Sequence, residues 1–282
     1  MAQIVTRFAP SPTGHLHLGH AYSALFAEAE ARSDGGRFLV RIEDIDRGRC
    51  RPEFERDMLE DLAWLGLDWE HPERRQSDHM ADYEQALLRL EALGLLYPCF
   101  LSRKELNETL SAPHMAPLMG PDGPAVIDTD QLMDPDERTR RLAGGEPYAL
   151  RLRMAQAIER AGSLEWLDRD RGRQVATPSI FGDVILARKD VRTSYHLAVT
   201  VDDALQGVTL VTRGEDLFQA SHVHRLLQAL LDLPVPDYRH HRLLTNETGQ
   251  RFAKRDRAVT LRQLRGLDHT PDEVRAMIDW NG

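Results

Sequence analysis

The chain has 282 residues, a formal net charge of -9 and 41% hydrophobic residues, enough apolar material for a sizeable core. The acidic balance argues against a broadly basic nucleic-acid coat and leaves room only for a local basic patch. No run of about 18 apolar residues is present and no charged-then-apolar leader opens the chain. The two cysteines, Cys50 and Cys99, make no disulfide framework, so a cytoplasmic protein without a membrane partner is expected.

Residues 4–8 read as a short buried strand, followed by a proline- and glycine-rich turn at 9–14. Residues 18–32, rich in Ala, Leu and Glu, read as a helix that Gly35 and Gly36 stop, and residues 38–42 as a second strand. Strand, glycine-containing turn, helix and strand make the βαβ pattern of a parallel nucleotide-binding sheet. Helices are expected over 51–65 and 81–94. Residues 111–135 carry many Pro, Gly, Met and Asp with little periodicity and read as a loop. Strands are expected at 148–154 and 183–187 in an inserted subdomain, and at 195–200 and 208–212 on return to the main sheet. An amphipathic helix is expected over 217–231, then a turn at 245–249, a basic loop at 250–257 and a short helical tail.

One string carries most of the chemistry: Arg7-Phe8-Ala9-Pro10-Ser11-Pro12-Thr13-Gly14-His15-Leu16-His17-Leu18-Gly19-His20. It places His17 and His20 at a helix start, where unpaired N–H groups and the positive dipole end attract phosphate. Histidines there can donate to phosphate oxygens as charge develops at the α-phosphorus, and Gly19 is expected to leave room for a nucleotide. Glu43, Asp44 and Asp46 form an acidic run, but strand alternation does not put all three on one face, so no carboxylate metal site is expected.

This string resembles the HIGH motif of class I aminoacyl-tRNA synthetases in its glutamyl-tRNA synthetase form, with His17-Leu18-Gly19-His20 as the tetrapeptide. Arg41-Ile42-Glu43-Asp44-Ile45-Asp46 resembles the second block of that family. Val211-Thr212-Arg213 before Gly214-Glu215-Asp216-Leu217 resembles its late strand-to-helix crossing. Arg251-Phe252-Ala253-Lys254-Arg255 is the degenerate counterpart of KMSKS, with Lys254 at a lysine position and Ala253 at a serine position. The resemblance covers nearly the whole chain and is weakest over 111–147.

The resemblance implies an α/β fold: a Rossmann-type parallel sheet with an inserted α+β subdomain and a short C-terminal helical tail. Together with the changes of periodicity, it divides the chain into 1–98 and 191–245 as the two nucleotide-fold halves, 99–190 as the insertion, and 246–282 as the basic loop and tail. It implies ATP, with Mg2+ arriving on the phosphates, and His17, His20 and Lys254 as catalytic residues. Pro10 and Gly19 would join these in holding the nucleotide. Arg7, Phe8, Ala9, Pro10, Ser11, Glu43, Tyr195 and Arg213 would contact L-glutamate. Guanidinium forks at Arg7 and Arg213 suit carboxylates, and Glu43 suits the α-ammonium. Relatives often hold zinc in a Cys-x-Cys site. Here Cys99-Phe100 is followed by Leu101 and no further cysteine, so no structural zinc is expected.

Few residues follow Lys254, so no anticodon-binding domain is expected. That resembles the truncated branch of the family, which transfers glutamate to the queuosine base of tRNA(Asp). A glutamyl-tRNA synthetase that charges tRNA(Glu), or a non-catalytic paralogue, are the alternatives.

Overall fold

The computed structural model describes residues 3–33, 35–101, 105, 119–125, 129, 133–244 and 259–280. β1 (Val5–Phe8) leads through the histidine turn into α1 (Leu18–Arg32) and then β2 (Arg37–Ile42), which pairs parallel to β1 with Val5 opposite Arg37. α1 presents a stripe of small residues at helical spacing, and Ala21, Ala24, Ala27 and Ala31 are each at most 1% exposed. The helix therefore sits close enough for the Thr6 hydroxyl to donate to the Ala27 carbonyl at 2.6 Å. α2 (Pro52–Trp64) crosses to β3 (Glu70–Arg75), which adds parallel to β2, and α3 (Met80–Ala92) follows.

β4 (Leu96–Cys99) opens a separate sheet. Next among the described residues come a hairpin of β5 (Met119–Gly120) and β6 (Gly123–Pro124) and then α4 (Pro135–Ala143). The hairpin lies inside the stretch expected as loop, most of which falls outside the described residues. β7 (Ala149–Leu152) pairs antiparallel with β4, and α5 (Met154–Ala161) follows. The hairpin of β8 (Glu165–Asp168) and β9 (Gly172–Val175) does not join this sheet, and β10 (Ile185–Ala187) completes it on the other side of β7.

The expected strand at 195–200 is instead the first part of α6 (Tyr195–Leu205). Ser194 caps it, its hydroxyl accepting from the Leu197 amide, and the Thr200 hydroxyl bonds back to the His196 carbonyl at 2.7 Å. Every residue from His196 to Asp203 is buried, so the helix is enclosed on all sides and shows no amphipathic period. β11 (Leu210–Gly214) and β12 (Asp237–His241) pair parallel around α7 (Ala220–Leu230). The helix expected from 217 starts at Ala220, after a 3-10 turn over Glu215–Leu217. α8 (Leu261–Gly266) and α9 (Pro271–Met277) form the tail.

The two halves meet where β11 lies beside β1: the Thr209 amide donates to the Val5 carbonyl at 3.0 Å, and the Val5 amide to the Thr209 hydroxyl at 2.8 Å. The spatial order is therefore β3-β2-β1-β11-β12, and β8 extends it beyond β12. The winding reverses between β1 and β11, and a crevice opens at the carboxyl ends of strands at such a reversal. One apolar core lies among α1, β2, α2 and the tail, with Leu261, Leu264, Val274 and Ile278 buried in it. A second lies among α3, α5, α6, α7 and the antiparallel sheet.

Candidate active site

The turn after β1 is fastened to the acidic block after β2: the Glu43 amide donates to the Pro10 carbonyl at 3.0 Å. His17 caps α1. Its Nδ1 accepts from the Gly19 amide at 3.1 Å, and its own amide donates to His20 Nδ1 at 3.2 Å. Both Nδ1 atoms accept, so in each ring Nε2 carries the proton. The two rings lie 3.8 Å apart. Gly19 has a reason other than the one expected from sequence. A Cβ there would meet His17 Cε1 at 3.0 Å, so the glycine makes room for the His17 ring. Thr260 bridges to His17, and the Leu261 amide donates to the Leu16 carbonyl at 2.8 Å. Lys254 and the basic loop at 250–257 lie outside the described residues.

A cavity of about 800 Å³ opens between the carboxyl ends of the strands and the insertion. Ser11, Glu43 and Tyr195 line one side, and Ala149, Asp183 and Ile185 the other. The remaining residues expected to contact the amino acid, Arg7, Phe8, Ala9, Pro10 and Arg213, are not in its lining, nor are His17 and His20. Arg7 does not offer the open fork that the sequence suggests. Its Nε and Nη2 meet the Asp203 carboxylate at 2.9 and 3.3 Å, and Nη1 donates to the Thr212 carbonyl at 3.0 Å.

Asp203 also takes Arg41, which is fully buried, at 2.7 Å; Arg41 in turn reaches Glu43 at 3.1 Å. Its neighbour Asp202 accepts from Arg74, Gln76 and Tyr83. The two adjacent acids of α6 thus tie three strands and α3 behind the cavity. Burial pushes the Glu43 carboxyl up against the opposing pull of Arg41 and Arg7. Asp203 is held below the usual carboxylate range, because Arg7 and Arg41 together outweigh its burial.

Arg213 is buried at the end of β11 and meets no carboxylate of the described residues in an ion pair. Nε donates to His240 at 3.2 Å, Nη1 to His224 Nδ1 at 3.2 Å and Nη2 to the Ser221 hydroxyl at 2.6 Å. Burial and the Arg213 charge hold His224 well below the ordinary histidine value, so it is a neutral acceptor. His240 is lowered for the same two reasons, although Asp168 lies 2.6 Å from its Nδ1. The His224 ring packs 5.7 Å from Tyr195, which joins Arg213 to the cavity wall through one imidazole. Burial raises the Tyr195 phenol, so it is a donor at neutral pH. Asp203, His224, His240 and Ser221 were missed in the sequence. Asp202-Asp203 inside an apolar run was the one available signal.

Among the described residues no group of three or more His, Cys, Asp or Glu can hold a metal ion, and no helix is long and apolar enough to cross a membrane. Cys99 is buried, with Thr129 Oγ1 3.5 Å from its sulfur.

A parallel sheet reversing between β1 and β11, a histidine-capped helix at the reversal and a buried guanidinium beside it define a class I synthetase catalytic fold. Residues 3–282 match the family described as tRNA synthetases class I (E and Q), catalytic domain, and the chain belongs to it. It is 47% identical to the Glutamyl-Q tRNA(Asp) synthetase of Rhodobacter capsulatus over 98% of this chain and 99% of that one. It is 42% identical to the protein of the same name from Symbiobacterium thermophilum, over 95% of this chain and 83% of that one. Among solved structures, the glutamate-tRNA synthetase of Elizabethkingia anophelis superposes with a TM-score of 0.76 at 27% identity. That match covers 90% of this chain and 53% of the other, so this chain spans about half the length of that synthetase.

Proposed function

We propose that this chain activates L-glutamate with ATP and transfers the glutamyl group to the queuosine base of tRNA(Asp) in the cytoplasm. The observation that carries the amino-acid choice is Arg213: a buried cation that donates to two neutral imidazoles and a hydroxyl and lies 5.3 Å from the Tyr238 ring centre, with no carboxylate among its described ion-pair partners. A cation so placed is stabilised by an incoming carboxylate, and its planar fork suits one. Tyr195 adds a hydroxyl donor, Glu43 and Ser11 face the cavity for the α-ammonium and main chain, and Arg7 acts through Asp203. The acceptor is supported by the names of relatives that match over nearly all of this chain.

In the activation step an α-carboxylate oxygen of glutamate attacks the α-phosphorus of ATP. The new P–O bond forms as the bond to the β-phosphate bridging oxygen breaks, and pyrophosphate leaves with that electron pair. The Nε2–H groups of His17 and His20 would donate to the α-phosphate oxygens as charge builds there. Lys254 lies six positions before Thr260, which bridges to His17, and it would steady the departing pyrophosphate. A cyclopentene hydroxyl of queuosine then attacks the mixed anhydride, forming an ester and releasing AMP. Mg2+ would come on the phosphates of ATP, keeping several of its waters. The halves 1–98 and 191–245, whose sheet β8 extends, would hold the adenylate, and the rest of the insertion would face the RNA.

The test incubates the protein with labelled glutamate, ATP and one of three RNAs. These are tRNA(Asp) containing queuosine, tRNA(Asp) with guanosine at the wobble position, and tRNA(Glu). Label only in the first, with glutamate-dependent ATP–pyrophosphate exchange in the absence of RNA, is expected. Label on the terminal ribose of tRNA(Glu) would make it a charging enzyme, and no exchange would make it a non-catalytic relative.

A further inference from the structure

We infer that Asp122, contributed by the insertion, is a positioning residue for the substrate-carboxylate site, aiming Arg213 through His196 and His224; this rests on the proposed role of Arg213. Four side chains form one hydrogen-bonded line. Arg213 Nη1 lies 3.2 Å from His224 Nδ1, His224 Nε2 lies 3.1 Å from His196 Nδ1, and His196 Nε2 lies 2.9 Å from the Asp122 carboxylate.

The two ends fix the direction of this line. A guanidinium only donates and an ionised carboxylate only accepts. His224 must therefore accept at Nδ1 and carry its proton on Nε2. That proton points at His196 Nδ1, so His196 carries its own proton on Nε2 and gives it to Asp122. One arrangement satisfies all three bonds, with both imidazoles neutral. Without the outer carboxylate the His196 proton is held on Nε2 from one side only, by the His224 N–H that points at Nδ1. In the other tautomer two N–H groups would face each other between His196 and His224, and His224 would turn to find an acceptor. Arg213 would then lose the Nη1 tie and keep hydrogen bonds to Ser221 and His240 alone, so its fork would be held less firmly in one plane.

The hairpin is built to put Asp122 in this place. Gly123 at its turn has a φ of 111°, which only glycine adopts without strain. A Cβ on Gly120 would come within 2.5 Å of the Ile180 carbonyl, so the hairpin lies tightly on the 3-10 turn Pro178–Phe181. From that same turn, the Phe181 ring meets His196 edge-on at 5.6 Å. Asp122 is 64% exposed while His196 is 9% exposed, so the line runs from the open cavity inward to a buried cation. His196 and Asp122 both line the cavity.

Asp122→Ala and Asp122→Asn should be compared with the wild-type protein by glutamate-dependent ATP–pyrophosphate exchange and by 15N imidazole NMR of His196 and His224. Asp122→Ala is expected to raise the KM for glutamate roughly tenfold, with kcat and the KM for ATP little changed, as for one lost hydrogen bond to a charged group. Its His196 ring should become a mixture of tautomers. Asp122→Asn, whose side-chain oxygen still accepts from Nε2–H, is expected to restore both. Unchanged tautomers and an unchanged glutamate KM in Asp122→Ala would overturn the assignment, as would equal losses for glutamate and ATP. If the wild-type protein shows no exchange at all, the proposed function falls. The ring tautomers then decide the line on their own, and an unchanged His196 overturns it.

Discussion

Arg7 and Arg213 leave neighbouring strands equally buried and differ in what surrounds them. Arg7 is neutralised by Asp203, whereas Arg213 meets imidazoles and a hydroxyl. Removing each should therefore have different effects. Arg213→Ala should lower kcat/KM for glutamate in pyrophosphate exchange by an amount equivalent to about 2–5 kcal/mol, the usual loss when a desolvated charge pair is broken. The KM for ATP should stay unchanged. Arg213→Lys should recover little, because an ammonium cannot reproduce the planar fork. Arg7→Ala should instead lower stability, by about 3 kcal/mol or more, because it strips a partner from a buried carboxylate. Chemical denaturation would register this, and an unchanged midpoint would show that Arg41 alone satisfies Asp203. His17, His20, Glu43, Tyr195 and Arg213 could be proposed from the sequence because they match positions of the family's motifs. Asp203, His224 and His240 could not, because what makes them matter is pairing across long stretches of chain.

At the scale of elements, α1 was readable to its boundaries because its capping histidine, alanine stripe and following glycines all agree. α6 was not, because a helix enclosed on every side has no polar face, and its β-branched residues imitate a strand. The same burial places an acid in an unfavourable position on α2. Asp61 is fully buried, neither of its oxygens receives a hydrogen bond, and its nearest cation, Arg265 on α8, is 3.6 Å away. Burial pushes its carboxyl up to about 6. The folded state therefore favours the protonated form, and as pH rises from about 4 to 6 the unfolded chain releases its proton first and stability falls. Asp61→Asn should remove this penalty, gaining about 2 kcal/mol at pH 7 and almost nothing at pH 4. Urea titrations at the two pH values would check it, and an equal gain at both would assign the effect to packing.

For the whole molecule, burial holds His222, His224, His240 and His241 below the ordinary histidine value. As pH falls through about 6.5 the unfolded chain takes up these protons before the folded one, so stability drops. The raised carboxyls of Asp61 and Glu43 oppose this, two groups against four. The urea midpoint should be lower at pH 5.5 than at pH 7.5, and the reverse order would mean these rings are accessible to protons in the native state. The parallel sheet was legible from its first βαβ unit. The addition of β8 to that sheet was not, because pairing between distant strands leaves no local periodicity. The junction of β1 with β11 joins residues 204 positions apart, and the histidine turn is completed by Thr260 and Leu261. During synthesis at about 5–20 residues per second, roughly 10 to 50 seconds separate the emergence of that turn from the arrival of its last neighbours. For most of that interval, until β11 emerges, the inner edge of β1 has no strand to pair with, so the newborn chain exposes the strand edge that will later carry its chemistry.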